Sequence, residues 1–228
     1  MIKSDTDLVT LALATRNMDK SREIKLKLHD LTTVLRIKSL DELEAMGLSL
    51  PEVEETEPTL EGNALKKARE IYAALTAQGL SNVLALSDDT GLEVMALGGA
   101  PGVHSARYAE KELGRKPTYS ENVAKLLREL KGITQREAKF RTVIALVGAF
   151  HLANHTGSPY FESTFEGEVH GIITTAPRGE AGFGYDPIFE VQTLSKTFAE
   201  LSMEEKNKVS HRALALERMQ RYLQRLFS

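Results

Sequence analysis

The chain contains no cysteine. Disulfides, thiolate catalysis and zinc ribbons are therefore excluded. No stretch approaches the ~18 consecutive apolar residues of a membrane span. The opening segment, Met1 to Asp7, has neither the basic cluster nor the apolar run of a leader peptide. A cytoplasmic protein with no membrane partner is expected. No charge of one sign dominates either, since 29 Lys and Arg stand against 32 Asp and Glu for a net charge of −3. That balance argues against a general nucleic-acid coat, so an anionic ligand has to be met by locally placed Lys and Arg. The glycine-rich phosphate-loop pattern is missing. So are internal repeats, low-complexity tracts and any linker, and residues 1–228 are expected to form a single domain.

What is present suits a soluble globular chain with a sizeable core: 42% hydrophobic and 27% charged residues. The organising stretch is Val83-Leu84-Ala85-Leu86-Ser87-Asp88-Asp89-Thr90-Gly91. A short apolar run bounded by turn chemistry predicts a buried strand that stops at the acids and delivers them to its end. Ligands of open α/β sheets sit outside such strand ends. Adjacent carboxylates repel and are costly to desolvate unless a cation or a shared proton relieves them. A magnesium ion is the simplest relief; the alternative is a solvated Asp-Asp-Thr-Gly turn.

Leu8 to Ala14 is a second candidate buried strand, running into Thr15-Arg16-Asn17-Met18-Asp19-Lys20. A helical pattern begins at Lys20, with Ile24, Leu28 and Leu31 on one face. A strand, a polar loop and a helix start predict an anion site, because the first helical N–H groups are unpaired and the dipole favours negative charge. Thr, Asn and Asp are equally ordinary helix caps. Thr33 to Leu40 reads as a strand, followed by an acidic segment from Pro51 to Pro58 whose charges ordinarily form a solvated face. The next helix, from Thr59 or Leu60, turns Ala64, Ala68, Ile71 and Leu75 inward. Lys66, Lys67 and Arg69 lie on its other faces, where one of the lysines is placed to reach back toward an acidic or phosphate-bearing site; the alternative is the ordinary solvated helix-surface lysine.

Gly91 to Tyr108, with Gly98, Gly99 and Gly102 inside it, reads as a loop that is neither regular helix nor central strand. Asn122 to Leu130 is helical and Ala138 to Phe150 is a long strand. After a loop from His151 to Pro159, Tyr160 to Val169 is expected to pair with it as an antiparallel hairpin. Gly179 to Pro187 sets Phe183 between two glycines, where its ring can be presented to a flat ligand. The rival is a tight turn with a packed Phe. Ser210 as a cap leaves His211 and Arg212 in the first turn of a terminal helix, where cations oppose the dipole. A local rule broken twice points to function.

The order of motifs is itself informative. Thr15-x-Asn17-x-x-Lys20 is followed by Glu54-Glu55-Thr56, Asn63-Ala64-x-x-Lys67-Ala68 and Ser87-Asp88-Asp89-Thr90-Gly91. Then come Gly98-Gly99-Ala100-Pro101-Gly102-x-x-Ser105-Ala106-Arg107-Tyr108, Phe183-Gly184-Tyr185-Asp186-Pro187 and Ser210-His211-Arg212. Over nearly its whole length the chain resembles the inosine triphosphate pyrophosphatase family of XTP/dITP diphosphatases, also called the Ham1 family. The resemblance implies an elongated α/β fold, a long mixed sheet with helices forming two lobes around a central cleft, usually as a homodimer. It implies Mg²⁺-dependent hydrolysis of deaminated purine nucleoside triphosphates (ITP, dITP, XTP) to the monophosphate and pyrophosphate.

Carried over by position, Thr15, Arg16, Asn17, Met18, Asp19 and Lys20, with Lys67, hold the triphosphate. Glu55 and Asp89 organise the metal, Asp89 is also the general base, and Thr90 contacts the nucleotide. Phe183 stacks on the base, Gly184, Tyr185 and Asp186 line its pocket, Lys206 reaches base or phosphate, and His211 with Arg212 reads the purine edge. Two departures stand out: the family usually has Gly where Arg16 stands and Ser where Thr90 stands. Register alone does not separate Glu54 from Glu55. Two rivals remain: a magnesium-dependent phosphatase acting on phosphomonoesters, and a non-catalytic nucleotide sensor.

Overall fold

The structure is a computed structural model that describes residues 8–150 and 160–227. The opening segment Met1 to Asp7 and the loop expected over His151 to Pro159 lie outside the described residues. In chain order the elements are β1 (Val9–Leu13), α1 (Met18–Lys27), β2 (Leu35–Ser39), α2 (Leu40–Glu44), α3 (Leu60–Ala77), β3 (Val83–Val94) and β4 (Pro101–Gly102). They continue with α4 (Glu110–Leu113), α5 (Tyr119–Glu129), β5 (Glu137–Ala149), β6 (Phe161–Ile173), β7 (Phe189–Val191), β8 (Lys196–Thr197), α6 (Met203–Val209) and α7 (His211–Phe227). The strands form an open mixed sheet in the order β2-β1-β3-β5-β6-β7-β8, with β4 paired to β3. β1 runs parallel to both β2 and β3; β3 with β4, β6 with β7 and β7 with β8 are antiparallel. Among the described residues no helix is long and apolar enough to cross a membrane.

The chain divides into two compact units, Met1–Asp89 with Val143–Phe165 and Ala215–Ser228, and Thr90–Thr142 with Glu166–Leu214. In the first, β1 is apolar and almost wholly buried, as a parallel strand covered on both faces must be. Leu11, Leu13, Leu84 and Leu86 pack with Ile24 and Leu28 of α1 and with Leu216, Met219 and Leu223 of α7. Each such fully buried side chain contributes about 1.5–3 kcal/mol of transfer free energy. The second unit has its own core, in which Leu92 and Val94 pack with Leu126, Phe140, Phe189 and Phe198. The ring centroids of Phe140 and Phe189 lie 4.7 Å apart, those of Phe189 and Phe198 5.3 Å.

Several expectations are corrected. β3 does not stop at the acids but continues through Asp88, Asp89, Thr90 and Gly91 to Val94. The polar residues remain in the strand because they find partners there: Ser87 Oγ donates to Ala64 O at 2.5 Å, and both aspartates meet lysines. The Gly91–Tyr108 loop is likewise partly regular. Its start completes β3, and β4 turns back on it with Leu92 opposite Gly102 and Glu93 opposite Pro101. Gly98 and Gly99, at φ 62° and 89°, supply the turn. α1 starts at Met18 rather than Lys20, and β6 runs on to Ile173. α5 starts at Tyr119, earlier than the apolar stripe suggests, because Thr118 and Glu121 form a capping box ahead of it. The short α2, which hydrophobic spacing does not announce, is held by the same device between Ser39 and Glu42.

Candidate active site

The first unit gathers two lysines and three carboxylates. Asn17 caps α1, its side-chain oxygen accepting from the N–H groups of Asp19 at 3.0 Å and Lys20 at 3.2 Å. The helix N–H groups expected to be unpaired are thus taken by the loop's own side chain. Asn17 N in turn donates to Thr15 Oγ1 at 3.2 Å, which makes the loop self-supporting. Lys20 Nζ reaches the end of the apolar run, 3.0 Å from Asp88 Oδ1. Met18 is exposed. Arg16 turns away from this cluster: its guanidinium donates to both oxygens of Glu44, at 3.1 and 2.7 Å, and to Leu50 O at 3.3 Å.

Lys67 is the α3 lysine that reaches back toward the acids rather than lying on a solvated face, and it is buried. Its ammonium donates to Glu55 Oε1 at 2.7 Å, Asp88 O at 2.8 Å and Asp89 Oδ1 at 3.0 Å. Glu54 is exposed. Glu55 is therefore the one of the two glutamates that joins the cluster. The acidic segment is not a free solvated face. Buried Asn63 of α3 accepts from Glu57 N at 2.9 Å and donates to Glu57 O at 3.2 Å, while Lys66 Nζ donates to Thr56 Oγ1 at 2.9 Å.

Electrostatics follow from burial. Desolvation works to lower the Lys67 pKa, but Asp89, Glu55 and Asp88 outweigh it and hold the ammonium above the ordinary lysine value. Burial pushes the Asp89 carboxyl up, against the pull of Lys67 and Lys20. Asp89 Oδ2 is buried without a hydrogen-bond partner among the described residues. Such an oxygen is costly to keep, and a divalent cation or the proton of a bound water would satisfy it. No preassembled group of three or more metal-ligating side chains occurs among the described residues. A hard cation that retains waters and takes one or two carboxylates plus ligand oxygens does not require one.

The second unit carries a different constellation. Phe183 sits in a turn organised by buried Asp186, whose Oδ2 accepts from Phe183 N at 2.8 Å and from Lys206 Nζ at 2.5 Å. Gly182, at φ 75°, is required there because a Cβ would overlap that same carboxylate. The segment is the tight turn of the two expected alternatives, and the Phe183 ring in it is half-buried. Lys206 Nζ lies 4.9 Å and Arg212 Cζ 5.6 Å from the Phe183 ring centroid, with the Tyr119 ring at 5.8 Å. A ring flanked by cations is electrostatically favoured. Gly184, at φ 65°, continues the turn. Tyr185 is a buried anchor whose hydroxyl donates to Ser105 O at 2.9 Å.

Ser210 caps α7 through Ala213 N at 3.2 Å, placing His211 and Arg212 in the first turn as expected. Both are buried. The His211 ring stacks on Phe140 at 4.6 Å and 23°, with Nδ1 2.6 Å from Thr142 Oγ1. Arg212 Nη2 donates to Thr90 Oγ1 at 3.2 Å. Sequence reasoning assigned no role to Asn63, Tyr119 or Thr142. Asn63 is signalled by its place in the Asn63-Ala64-x-x-Lys67-Ala68 motif, and Thr142 only as a polar residue in an otherwise inward-facing stretch of β5.

Fold and geometry together define an open-sheet α/β protein with a buried acid–lysine centre in one unit and a cation-flanked aromatic turn in the other. The comparisons with known proteins agree with that class. The model of the Ham1 family matches residues 11–222, and the chain belongs to this family. A dITP/XTP pyrophosphatase of Chlorobaculum tepidum is 50% identical over 208 residues, covering 91% of this chain and 89% of that protein. One from Bacillus subtilis is 42% identical, covering 93% and 96%. Among solved structures, a Ham1 protein from Coxiella burnetii superposes with a TM-score of 0.75 at 35% identity, covering 96% of this chain and all of that one.

Proposed function

We propose that the chain is a nucleoside triphosphate diphosphatase that hydrolyses ITP, dITP and XTP to the monophosphate and pyrophosphate with the help of Mg²⁺. The observation that carries the reading is Asp89, buried beside Lys67 and Glu55 with one oxygen unpartnered. Membership of a family whose relatives include dITP/XTP pyrophosphatases supports it. Glu55 and Asp89 are the residues that would hold the cation. When bound, magnesium neutralises charge building on the phosphate oxygens. Lys20 and Lys67 grip and orient the phosphates, so that water is positioned in line with the anhydride bond between the α- and β-phosphates. Asp89 Oδ2 takes the proton of that water.

The base belongs to the second constellation. Phe183 stacks on the purine, with Lys206 and Arg212 beside it. Arginine has donors and no acceptor, so Arg212 matches a 6-oxo group and leaves a 6-amino group unpaired. Homodimeric assembly and independence from nucleic acid belong to the same reading, the latter consistent with a net charge of −3. The test is product analysis on ITP, dITP, XTP, GTP and ATP with Mg²⁺. Pyrophosphate released in equal amount to monophosphate, fastest from the deaminated nucleotides, is the expected result. Orthophosphate as the first product would assign a phosphatase, and tight binding without turnover a sensor.

A further inference from the structure

Four side chains of the second unit form a closed path. His211 Nδ1 lies 2.6 Å from Thr142 Oγ1, Thr142 Oγ1 lies 2.6 Å from Thr90 Oγ1, and Arg212 Nη2 donates to Thr90 Oγ1 at 3.2 Å. Because His211 and Arg212 are consecutive, the path leaves the first turn of α7 through one side chain and returns through the next. On the way it crosses β5 at Thr142 and β3 at Thr90. Thr142 is fully buried, and the Phe140 ring stacked on His211 restrains the imidazole at the far end. In a low-dielectric interior, linked hydrogen bonds reinforce one another, and losing a middle member leaves polar groups unpaired on both sides. Arginine carries only donors, so Thr90 accepts from Arg212, and the position of Thr90 Oγ1 sets where one arm of the guanidinium rests. Arg212 Cζ stands 5.6 Å from the Phe183 ring centroid.

We propose that Thr142 is a specificity-determining positioning residue: its hydroxyl joins His211 to Thr90 and thereby fixes the Arg212 guanidinium beside the ring that receives the base. The inference rests on the reading of Arg212 as the group that tells a 6-oxo from a 6-amino purine. Thr142 touches no substrate; it acts through Thr90. A purely structural hydroxyl would affect stability alone, whereas a positioning hydroxyl changes the ratio of kcat/KM for ITP to that for ATP.

The experiment places Thr142→Val and Thr142→Ser in the wild-type and Arg212→Ala backgrounds, measuring kcat/KM for ITP and ATP together with the thermal midpoint. Arg212→Ala is expected to collapse the ITP-to-ATP ratio. Thr142→Val is expected to lower that ratio about tenfold, the loss of roughly one net hydrogen bond, and Thr142→Ser to restore it. In the Arg212→Ala background, Thr142→Val should produce no further change in the ratio, because coupled residues are non-additive. If Thr142→Val does not fold, Thr142→Ala carries the same expectation. An unchanged ratio in Thr142→Val, or an equal loss in both backgrounds, overturns the proposal while Arg212 keeps its role. An unchanged ratio in Arg212→Ala alone overturns the reading of Arg212, and this inference with it.

Discussion

Asp89 divides its carboxylate between two tasks. Oδ1 accepts from Lys67, which pins the side chain, while Oδ2 is buried without a hydrogen-bond partner among the described residues. Asp89→Asn keeps the shape and removes the charge. It is expected to lower kcat by about 10²- to 10⁴-fold, the range for a lost general base, with more if cation binding suffers as well. Near-normal kcat at saturating magnesium, with native circular dichroism, would remove Asp89 from the chemistry. Arg16 is the contrasting case. Its pair with Glu44 is partly exposed, at 40% and 33% for the two side chains, and such pairs contribute about 0–1 kcal/mol. Arg16→Ala should therefore leave the thermal midpoint almost unchanged. A marked drop would mean that the link to Leu50 O stabilises the segment leading to Glu55.

Among the elements, β6 and β7 show how tightly strand spacing constrains side-chain choice. Gly171 pairs with Val191, and a Cβ there would overlap Glu190 O and the Phe189 ring. The first of these is backbone held by the strand ladder, the second a fully buried ring, so neither can yield cheaply. Gly171→Ala is expected to cost about 1–3 kcal/mol, the usual penalty for overpacking, measured as a lower denaturation midpoint at unchanged slope. No loss would show that β7 shifts freely. The same scale explains what was misread in β3. Its polar residues look like a turn when only neighbours along the chain are considered, but a strand tolerates buried Ser87, Asp88 and Asp89 once α3 and α1 deliver partners.

For the molecule as a whole, acid is the predicted weakness. Burial works to raise the Glu42 pKa, but hydrogen bonds from Lys25 and from the Ser39 backbone and side chain outweigh it and hold it at about 2, against an ordinary 4.5. Glu121 is likewise held at about 2, chiefly by Arg115 and by the Thr118 N–H. A carboxyl whose folded pKa is depressed stabilises the fold above its unfolded pKa, and that contribution disappears as pH falls through the folded value. The thermal midpoint should thus hold down to about pH 5 and decline between about 4.5 and 2. Glu42→Gln should make that decline shallower. Asp89, raised by burial, works in the opposite sense and favours the fold as it protonates. A midpoint that rises on acidification would mean that such buried carboxyls dominate.

From the sequence alone came the strands flanking the acids, the amphipathic helices, the cap at Ser210 and the ordered motifs that identify the family. Each depends on periodicity or on residues close in the chain, which a linear reading captures. Only the tertiary structure decided which polar residues are buried and with whom. Lys67 reaches Glu55, twelve residues away, and Asp89, twenty-two away; Thr142 is sixty-nine residues from His211. Arg16 pairs with Glu44, and Glu55 rather than Glu54 met the lysine. Those choices depend on the sheet order and on desolvation at each position, and neither is written in local sequence, because the dielectric around a charge is set by the residues folding brings to it.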